Sequence, residues 1–443
     1  MDFLAYRDGV LCMDGVPLPD LAERLGTPFF LIGEARLRAN YQALERGLAG
    51  AVLRYCAKTN HEAAVLETLS RCGSHLLASH AAEVELALRC GFPPERIAYA
   101  RPVLIPAELD AVLSAGVPRV HAHLLADLEI LEQAAARAGR RVQVSLRLRQ
   151  EGIAISPLDR LNRRLGLGAG EVLDACRRFA RSPWIEISSV NFYLGTQQSS
   201  LAGFSRVFRG VLALLERVAA ETGVAIREVN LGGGIPSLSL RKVGPRQLLA
   251  RWRDLPGAAG GPERQEEFAA GLWRRFRELA DGARLPERPT LAAEPGRSIA
   301  GDAAVLVSRV HGVSGKWAFL DASRNFLPES PLLFSRRILP LVQPADGADG
   351  KNDRFYHLSG STLNTLDVLD LRRRLPRLEP GDALAFCDAG AYSISRASPY
   401  AGLPPAVYML QEDGGVRRVR EAGGIDQLLR PMTLQGERAG VER

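Results

Sequence analysis

Between residues 50 and 294, short apolar runs alternate with longer stretches whose apolar positions recur at helical spacing. The runs at 51–58 (AVLRYCAK), 75–79 (HLLAS), 96–100 (RIAYA), 119–123 (RVHAH), 142–148 (VQVSLRL), 185–193 (IEISSVNFY), 226–231 (IREVNL) and 289–294 (PTLAAE) read as strands. Segments between them, such as HEAAVLETLSRCG and AAEVELALRCG, carry a helical apolar face and end in Gly, which readily takes the left-handed conformation that closes a helix. Strand and helix alternating over roughly 250 residues predict an α/β fold, a (β/α)8 barrel spanning 26–296. An open, doubly wound sheet is the competing arrangement.

After Arg297 the texture changes. Runs such as AVLVSRVHGV, KWAFLDAS, FYHLSG, DALAFCDAG and AVYML are separated by Gly, Pro, Asp and Asn, and long helical periodicity fades, which predicts a mainly β domain over 297–443. Residues 1–25 alternate apolar and polar positions, as strands do. The stretch 236–261 is rich in Gly and Pro and falls where one loop of the barrel is expected, either a substrate-covering loop or an insertion.

Composition narrows the function classes. With 46% hydrophobic and 24% charged residues, the chain reads as globular with a sizeable core. The net charge of +7 is spread over scattered Arg residues without interleaved aromatics, which argues against nucleic acid and fits an anionic substrate or cofactor. The six cysteines form no CxxC pair and no metal or disulfide pattern, so no metal site is expected. The N-terminal stretch lacks the basic and apolar regions of a signal peptide, and no run approaches membrane-spanning length. The expectation is a cytoplasmic protein with no membrane partner.

Four places could carry chemistry. Lys58 closes the first barrel strand, where catalytic groups of barrels gather, and its apolar flanks favour the dehydrated amine that forms Schiff bases. A Lys snorkelling from a strand end looks the same in isolation. Gly232, Gly233 and Gly234 follow a late strand and let backbone N–H groups approach a phosphate, although a flexible turn needs the same residues. Glu294 and Arg297 follow the last strand and offer a carboxylate for a ring nitrogen and a guanidinium for phosphate, or an ordinary surface pair. Tyr392, after a Gly turn, can reach a phosphate oxygen.

Taken in order, these motifs resemble the fold-type III pyridoxal-phosphate decarboxylases, the diaminopimelate and ornithine decarboxylases among them. YCAKTN resembles the family's Tyr-Ala-x-Lys-Ala-Asn, SVNFYLGTQ its His-x-His-x-Gly-Ser-Gln strand, and VNLGGGIP its phosphate loop. AAEPGRSI is nearly identical to its Glu-Pro-Gly-Arg motif, and CDAGAYSISRASPYAGLPP matches its Gly-Ala-Tyr stretch. The resemblance covers about residues 5 to 410 and implies an alanine racemase-like barrel joined to a C-terminal β domain, with the strand before residue 25 entering the C-terminal sheet. It implies pyridoxal 5'-phosphate bound covalently at Lys58, with Glu294 on the pyridine nitrogen. Tyr193 would stack on the ring, and Thr196, Gly233, Gly234, Arg297 and Tyr392 would clasp the phosphate. A Glu at 294 sets the chain apart from the alanine racemases, which place Arg there. The resemblance also implies an amino-acid substrate and a homodimer with active sites at the interface.

The pattern breaks in informative places. The family's Gly-Pro-x-Cys-(Glu/Asp)-Ser-x-Asp appears as GSTLNTLD, so Leu363 stands where the proton-donating Cys is expected and Asn364 where an acid is. The two strand histidines are Asn191 and Tyr193, and the Asp expected near the cofactor's hydroxyl is Leu76. Arg324 and Asn325 are candidates for substrate contact, but the diaminopimelate enzymes' following Arg-Pro-x-x-Tyr is missing. Arg164 and Asp367 are candidates for a pair across the dimer interface. The expected activity is decarboxylation of a modified or conjugated amino acid in specialised metabolism, such as siderophore or antibiotic assembly. The alternative is altered chemistry on the same cofactor: racemisation, elimination or decarboxylative condensation.

Overall fold

The computed structural model describes residues 3–149, 164–237, 240–243, 264–343 and 353–429. Most of the stretch 236–261 lies outside the described residues. The chain divides into two compact units, one containing Met1–Gly33 and Ala304–Arg443, the other Glu34–Lys242 and the stretch ending at Ala303.

At the N-terminus β1 (Leu4–Arg7), β2 (Val10–Met13) and β3 (Val16–Pro17) form an antiparallel meander. Its turns are Asp8-Gly9 and Asp14-Gly15, all four residues at positive φ, as two-residue hairpin turns require. These strands pair with one another and meet the later chain through a Val10–Val342 bridge. The N-terminal strand that enters the large sheet is instead β4 (Phe29–Gly33), between an antiparallel and a parallel neighbour. Residues 29–33, assigned to the barrel from sequence, therefore belong to the C-terminal unit. FFLIG is buried at every position, which suits a strand inside a sheet covered on both faces.

The second unit is a closed parallel barrel of β5 (Val52–Cys56), β6 (His75–Ala78), β7 (Ile97–Ala100), β8 (Arg119–Ala122), β9 (Val142–Arg147), β10 (Ile185–Asn191), β11 (Glu228–Asn230) and, after a short β12 (Arg241–Lys242), β13 (Thr290–Ala293). All eight barrel strands fall on the runs read from sequence, and pairing of β13 with β5 closes the ring and excludes an open sheet. Helices connect them; Leu201–Thr222, the longest, ends at Gly223 with φ 69.

Strand alternation here runs against the usual barrel, whose interior is filled by branched aliphatics. Inward positions carry Arg54 on β5, Arg119 and His121 on β8, Gln143, Ser145 and Arg147 on β9, Ser189 and Asn191 on β10, and Glu228 and Asn230 on β11. Hydrogen bonds and close contacts across the bore link them. Apolar residues between them, such as Val120, Val144, Leu146, Val190 and Val229, are fully or almost fully buried toward the helices.

The C-terminal unit continues with β14 (Ala304–Ser314), β15 (Trp317–Leu320), β16 (Phe334–Ser335), β17 (Ile338–Pro340), β18 (Arg354–Ser359), β19 (Val368–Leu375), β20 (Ala383–Phe386), β21 (Ala406–Leu410) and β22 (Val416–Arg420). The main path of its sheet runs β19-β18-β15-β14-β4-β21-β22, with β20 also on β14 and β17 on β20. One core joins the meander to this sheet through Leu11, Met13, Leu18, Leu21, Phe29, Leu31, Val305, Leu341 and Leu410. Among the described residues, no helix is long and apolar enough to cross a membrane, and no group of three or more His, Cys, Asp or Glu could hold a metal ion.

Candidate active site

The site is assembled where barrel strands end. Lys58 lies in a single helical turn (Ala57–Thr59) directly after β5, continuing the inward face of Arg54 and Cys56. Ala57 and Thr59 are buried while Lys58 is exposed, so its ammonium is reachable from solvent rather than dehydrated by its apolar flanks as the sequence suggested. Its charge is felt at Cys56, His123 and Glu294, which places these groups around it.

Glu294 follows β13 and is 8% exposed. Its Oε1 accepts a hydrogen bond from Asn230 Nδ2 at 2.7 Å, and His121 Nδ1 lies 3.6 Å from the same oxygen. Burial raises the carboxyl above its ordinary value, opposed by the Asn230 hydrogen bond and by Arg54, Arg147 and Lys58. Burial pulls His121 down to about 3, so this imidazole is neutral and its contact with Glu294 is not an ion pair. Asn230 works at both ends: its Oδ1 accepts from the Gly232 N–H at 2.8 Å, tying the carboxylate to the glycine loop.

The three glycines are required by close packing. A Cβ on Gly232 (φ +68) would lie 2.2 Å from the Phe192 carbonyl oxygen, and one on Gly234 (φ +101) 2.2 Å from that of Gly195. Gly233 packs against the Glu294 backbone. The loop after β10 and the loop after β11 are therefore pressed together, with Tyr193 and Thr196 half-buried on the first. Arg297 opens the short helix Arg297–Ala300 and is 8% exposed. At Gly296, next to it, a Cβ would lie 2.1 Å from Thr59 Oγ1, so the turn after β13 rests on the residue following Lys58.

Several members were not singled out from sequence: His121, His123, Arg147, Asn230 and the Arg54–Glu228 pair. Arg147 donates to Asn191 Oδ1 at 3.3 Å and its guanidinium stands 5.7 Å from the Tyr193 ring centroid. Asn191 Nδ2 donates to Ser145 Oγ, which donates to Ser189 Oγ, which donates to Glu228 Oε1. The signal was the polar alternation itself, R-x-H-x-H at 119–123 and E-x-N at 228–230, which marks an inner face lined for binding.

The other candidates belong to the C-terminal unit. Tyr392 is half-buried with φ 57, and Asp388, fully buried, has φ 55; such a conformation in non-glycine residues is held by its surroundings. The Asn325 amide donates to the Tyr400 carbonyl at 2.6 Å, and Arg324 donates to the Leu366 carbonyl at 3.3 Å. Leu363 is fully exposed, and Asn364 is exposed beside it. Asp367 organises their loop: Oδ1 accepts from Arg324 N and Ser323 Oγ, Oδ2 from Thr362 N and Thr362 Oγ1. With both oxygens spent and only 4% exposed, Asp367 is not the free carboxylate that an interface pair with exposed Arg164 needs. Leu76, expected in place of an Asp beside the cofactor, is buried on β6; its neighbour Leu77 packs with Cys56 and Ala98, so neither offers a carboxylate.

The barrel's residues fit pyridoxal phosphate. An accessible Lys, a buried carboxylate within reach of its charge, a glycine cradle that a Cβ would fill and a buried Arg after the last strand meet the demands of amine, ring nitrogen and phosphate.

Comparison with known proteins agrees. Residues 34–301 match the model of the pyridoxal-dependent decarboxylase family's pyridoxal binding domain. The chain is 30% identical over 439 residues to a diaminopimelate decarboxylase of Pseudomonas aeruginosa, covering 97% of this chain and 98% of that protein. It is 29% identical to one of Methanothermobacter thermautotrophicus, covering 95% of each. In fold it matches the diaminopimelate decarboxylase of M. jannaschii with a TM-score of 0.83 at 22% identity over 98% of both chains. A lysine/ornithine decarboxylase of Vibrio vulnificus complexed with putrescine matches with a TM-score of 0.71 at 20% identity over 90% of this chain and 98% of that one.

Proposed function

Because the chain belongs to the pyridoxal-dependent decarboxylase family, we propose that it removes CO2 from a modified or conjugated α-amino acid in specialised metabolism. The protein is a pyridoxal-phosphate-dependent amino-acid decarboxylase.

When bound, pyridoxal phosphate supplies an electron sink for the pair left behind by departing CO2. Lys58 would provide the amine that holds the cofactor. Asn230 occupies Glu294 Oε1, so Oε2 is the oxygen left to accept a hydrogen bond from the ring N–H and keep that proton in place. Gly233, Gly234, Thr196 and Arg297 would orient the phosphate, and Tyr193 would cover the ring. A strong carboxylate partner on the ring nitrogen favours full electron withdrawal, which suits decarboxylation and disfavours racemisation.

The observation that carries the substrate proposal is Leu363. It stands in the place of the proton-donating Cys with its side chain fully exposed, and Asp367 orders the loop that presents it. Leucine has no proton to give, so the chain departs at this position from the family's ordinary decarboxylases, which supports a substrate other than theirs. Arg324 and Asn325, on the same unit as Leu363, would be its contacts to the substrate. The relatives named diaminopimelate decarboxylase support that amino acid as a second reading. Leu363 also supports altered chemistry, elimination or decarboxylative condensation, on the same cofactor. A homodimer is supported by the apolar residues exposed on the C-terminal unit, Leu363, Leu366, Phe319 and Trp317, which a second copy would cover. Buried thiols at Cys56, Cys90 and Cys176 support a reducing cytoplasm.

The test is CO2 release by the reconstituted protein from a panel of free and conjugated diamino acids, diaminopimelate included. Release from a conjugated compound alone supports the proposal. Release from diaminopimelate at comparable rate replaces it with the second reading. Exchange of the α-proton without CO2 points to altered chemistry.

A further inference from the structure

His123 directly follows β8 and Arg147 ends β9; pairing of Ala122 with Leu146 puts them side by side at the barrel mouth. The backbone at His123 is held firmly: its N–H and that of Leu124 both donate to Asp127 Oδ2 at 2.9 Å. The side chain is 8% exposed, and its Nδ1 has no hydrogen-bond partner among the described residues. In the neutral ring, Nδ1 is either the protonated or the lone-pair nitrogen, and a single partner on it settles which. Burial, reinforced by the charge of Arg147, pulls His123 down to about 3, so the neutral form prevails at physiological pH. Beside it, Arg147 spends one terminal nitrogen on Asn191, while its buried Nε–H has no partner among the described residues.

A buried imidazole nitrogen and a buried guanidinium N–H, both unused at neighbouring strand ends, specify the group that completes them. A hydroxyl serves both at once, its oxygen accepting from Nε–H while the group pairs with Nδ1 as donor or acceptor. We propose that His123 and Arg147 together bind the ring hydroxyl of pyridoxal phosphate. This assignment rests on the cofactor occupying the barrel mouth and deepens that reading.

Topology supports it. In the cofactor, the hydroxyl-bearing and phosphate-bearing carbons flank the aldehyde carbon on opposite sides. The glycine loop follows β11, Arg297 follows β13, and β8 lies on the far side of the ring of strands. His123 also senses the charge of Lys58, whose amine would join the aldehyde carbon borne by the ring position next to the hydroxyl. On β6, Leu76 and Leu77 offer no acceptor that could compete.

The test separates this contact from cofactor binding as a whole. Full-length apoenzyme is titrated with 4-deoxypyridoxine 5'-phosphate, which has no aldehyde for Lys58, and with its 3-deoxy analogue, in which hydrogen replaces the hydroxyl. Wild type should prefer the hydroxyl compound by about tenfold or more, the effect of hydrogen bonds to buried partners. In His123→Ala that preference should fall to within about twofold, and His123→Asn, which keeps an acceptor, should retain part of it. Affinity for the 3-deoxy compound should be nearly unchanged in His123→Ala, which shows that the phosphate site is still formed. A preference that survives in His123→Ala, or a wild type that binds both compounds alike, overturns the assignment. Failure of wild type to bind either compound overturns the cofactor placement on which it stands.

Discussion

Two carboxylates face the bore of the same barrel, and their surroundings differ in kind. Glu228, in the middle, is gripped by Arg54 through two hydrogen bonds of 3.1 and 2.7 Å, by Arg119 at 3.3 Å and by Ser189 at 2.9 Å. Arg54 is only 1% exposed. Glu294, at the mouth, has an amide and a neutral imidazole for close neighbours, while positive charge reaches it only from a distance. A carboxylate saturated by fixed cations is finished business for the fold. One buried among neutral groups, its carboxyl raised by burial, is held ready for a cation that arrives with the ligand, as a protonated pyridine ring does. The bore thus grades from a structural floor to a responsive mouth.

The comparison can be broken from either side. Lys58→Ala should have the largest effect, lowering turnover by about three orders of magnitude and abolishing the visible absorption of bound cofactor, with the melting profile unchanged. Arg54→Ala should act chiefly on the floor: a charge left unpaired in the bore costs about 3–5 kcal/mol, read as a lowered denaturation midpoint. The double variant Arg54→Met, Glu228→Leu should recover much of that loss; if it does not, the pair does more than fill the bore. Glu294→Gln should reverse the profile, lowering turnover about a hundredfold with stability little altered.

Acid supplies a fourth measurement. His121 and His123 are pulled down to about 3 by burial, so the unfolded chain binds more protons than the folded one between about 3 and the ordinary 6.5. Stability contributed by these neutral imidazoles is fully present above 6.5 and is lost as pH falls toward 3. Urea midpoints measured across that window should drop less steeply in His121→Asn and His123→Asn. Glu294 has the opposite sign, since its raised carboxyl binds a proton more tightly when folded, so its contribution falls as pH rises out of the ordinary carboxylate range. The smallest effect belongs to the C-terminal unit. Leu363→Ser removes a fully exposed side chain and should change protomer stability by no more than about 0.5 kcal/mol, while weakening self-association if a second copy covers this face.

Much of this was legible in the chain. The barrel strands could be read because each joins a buried apolar outer row to helices with clear periodicity, and the Lys, glycine, Glu and Arg positions could be read because each closes such a strand. The boundary near residue 33 was not legible. FFLIG is equally apolar on both faces, and only the pairing with β14 and β21 shows which sheet it enters. The histidines at 121 and 123 were visible as letters but silent as chemistry, because their meaning depends on Arg147, Glu294 and Lys58, brought together from strands distant in sequence. Asp367 misled for the converse reason: a lone acid after a polar loop looks available until its four donors are counted.

The contact between Gly296 and Thr59 has a consequence for how such a site can change over generations. One residue precedes Arg297 by a single step, and the other follows Lys58 by a single step. A methyl group at 296 would land on the threonine hydroxyl. Gly296 cannot enlarge while Thr59 stays as it is, so a lineage exploring new substrates cannot adjust that side of the seam by a single step. Variation is diverted to parts of the protein that carry no such lock, and the loop bearing Leu363 is one of them.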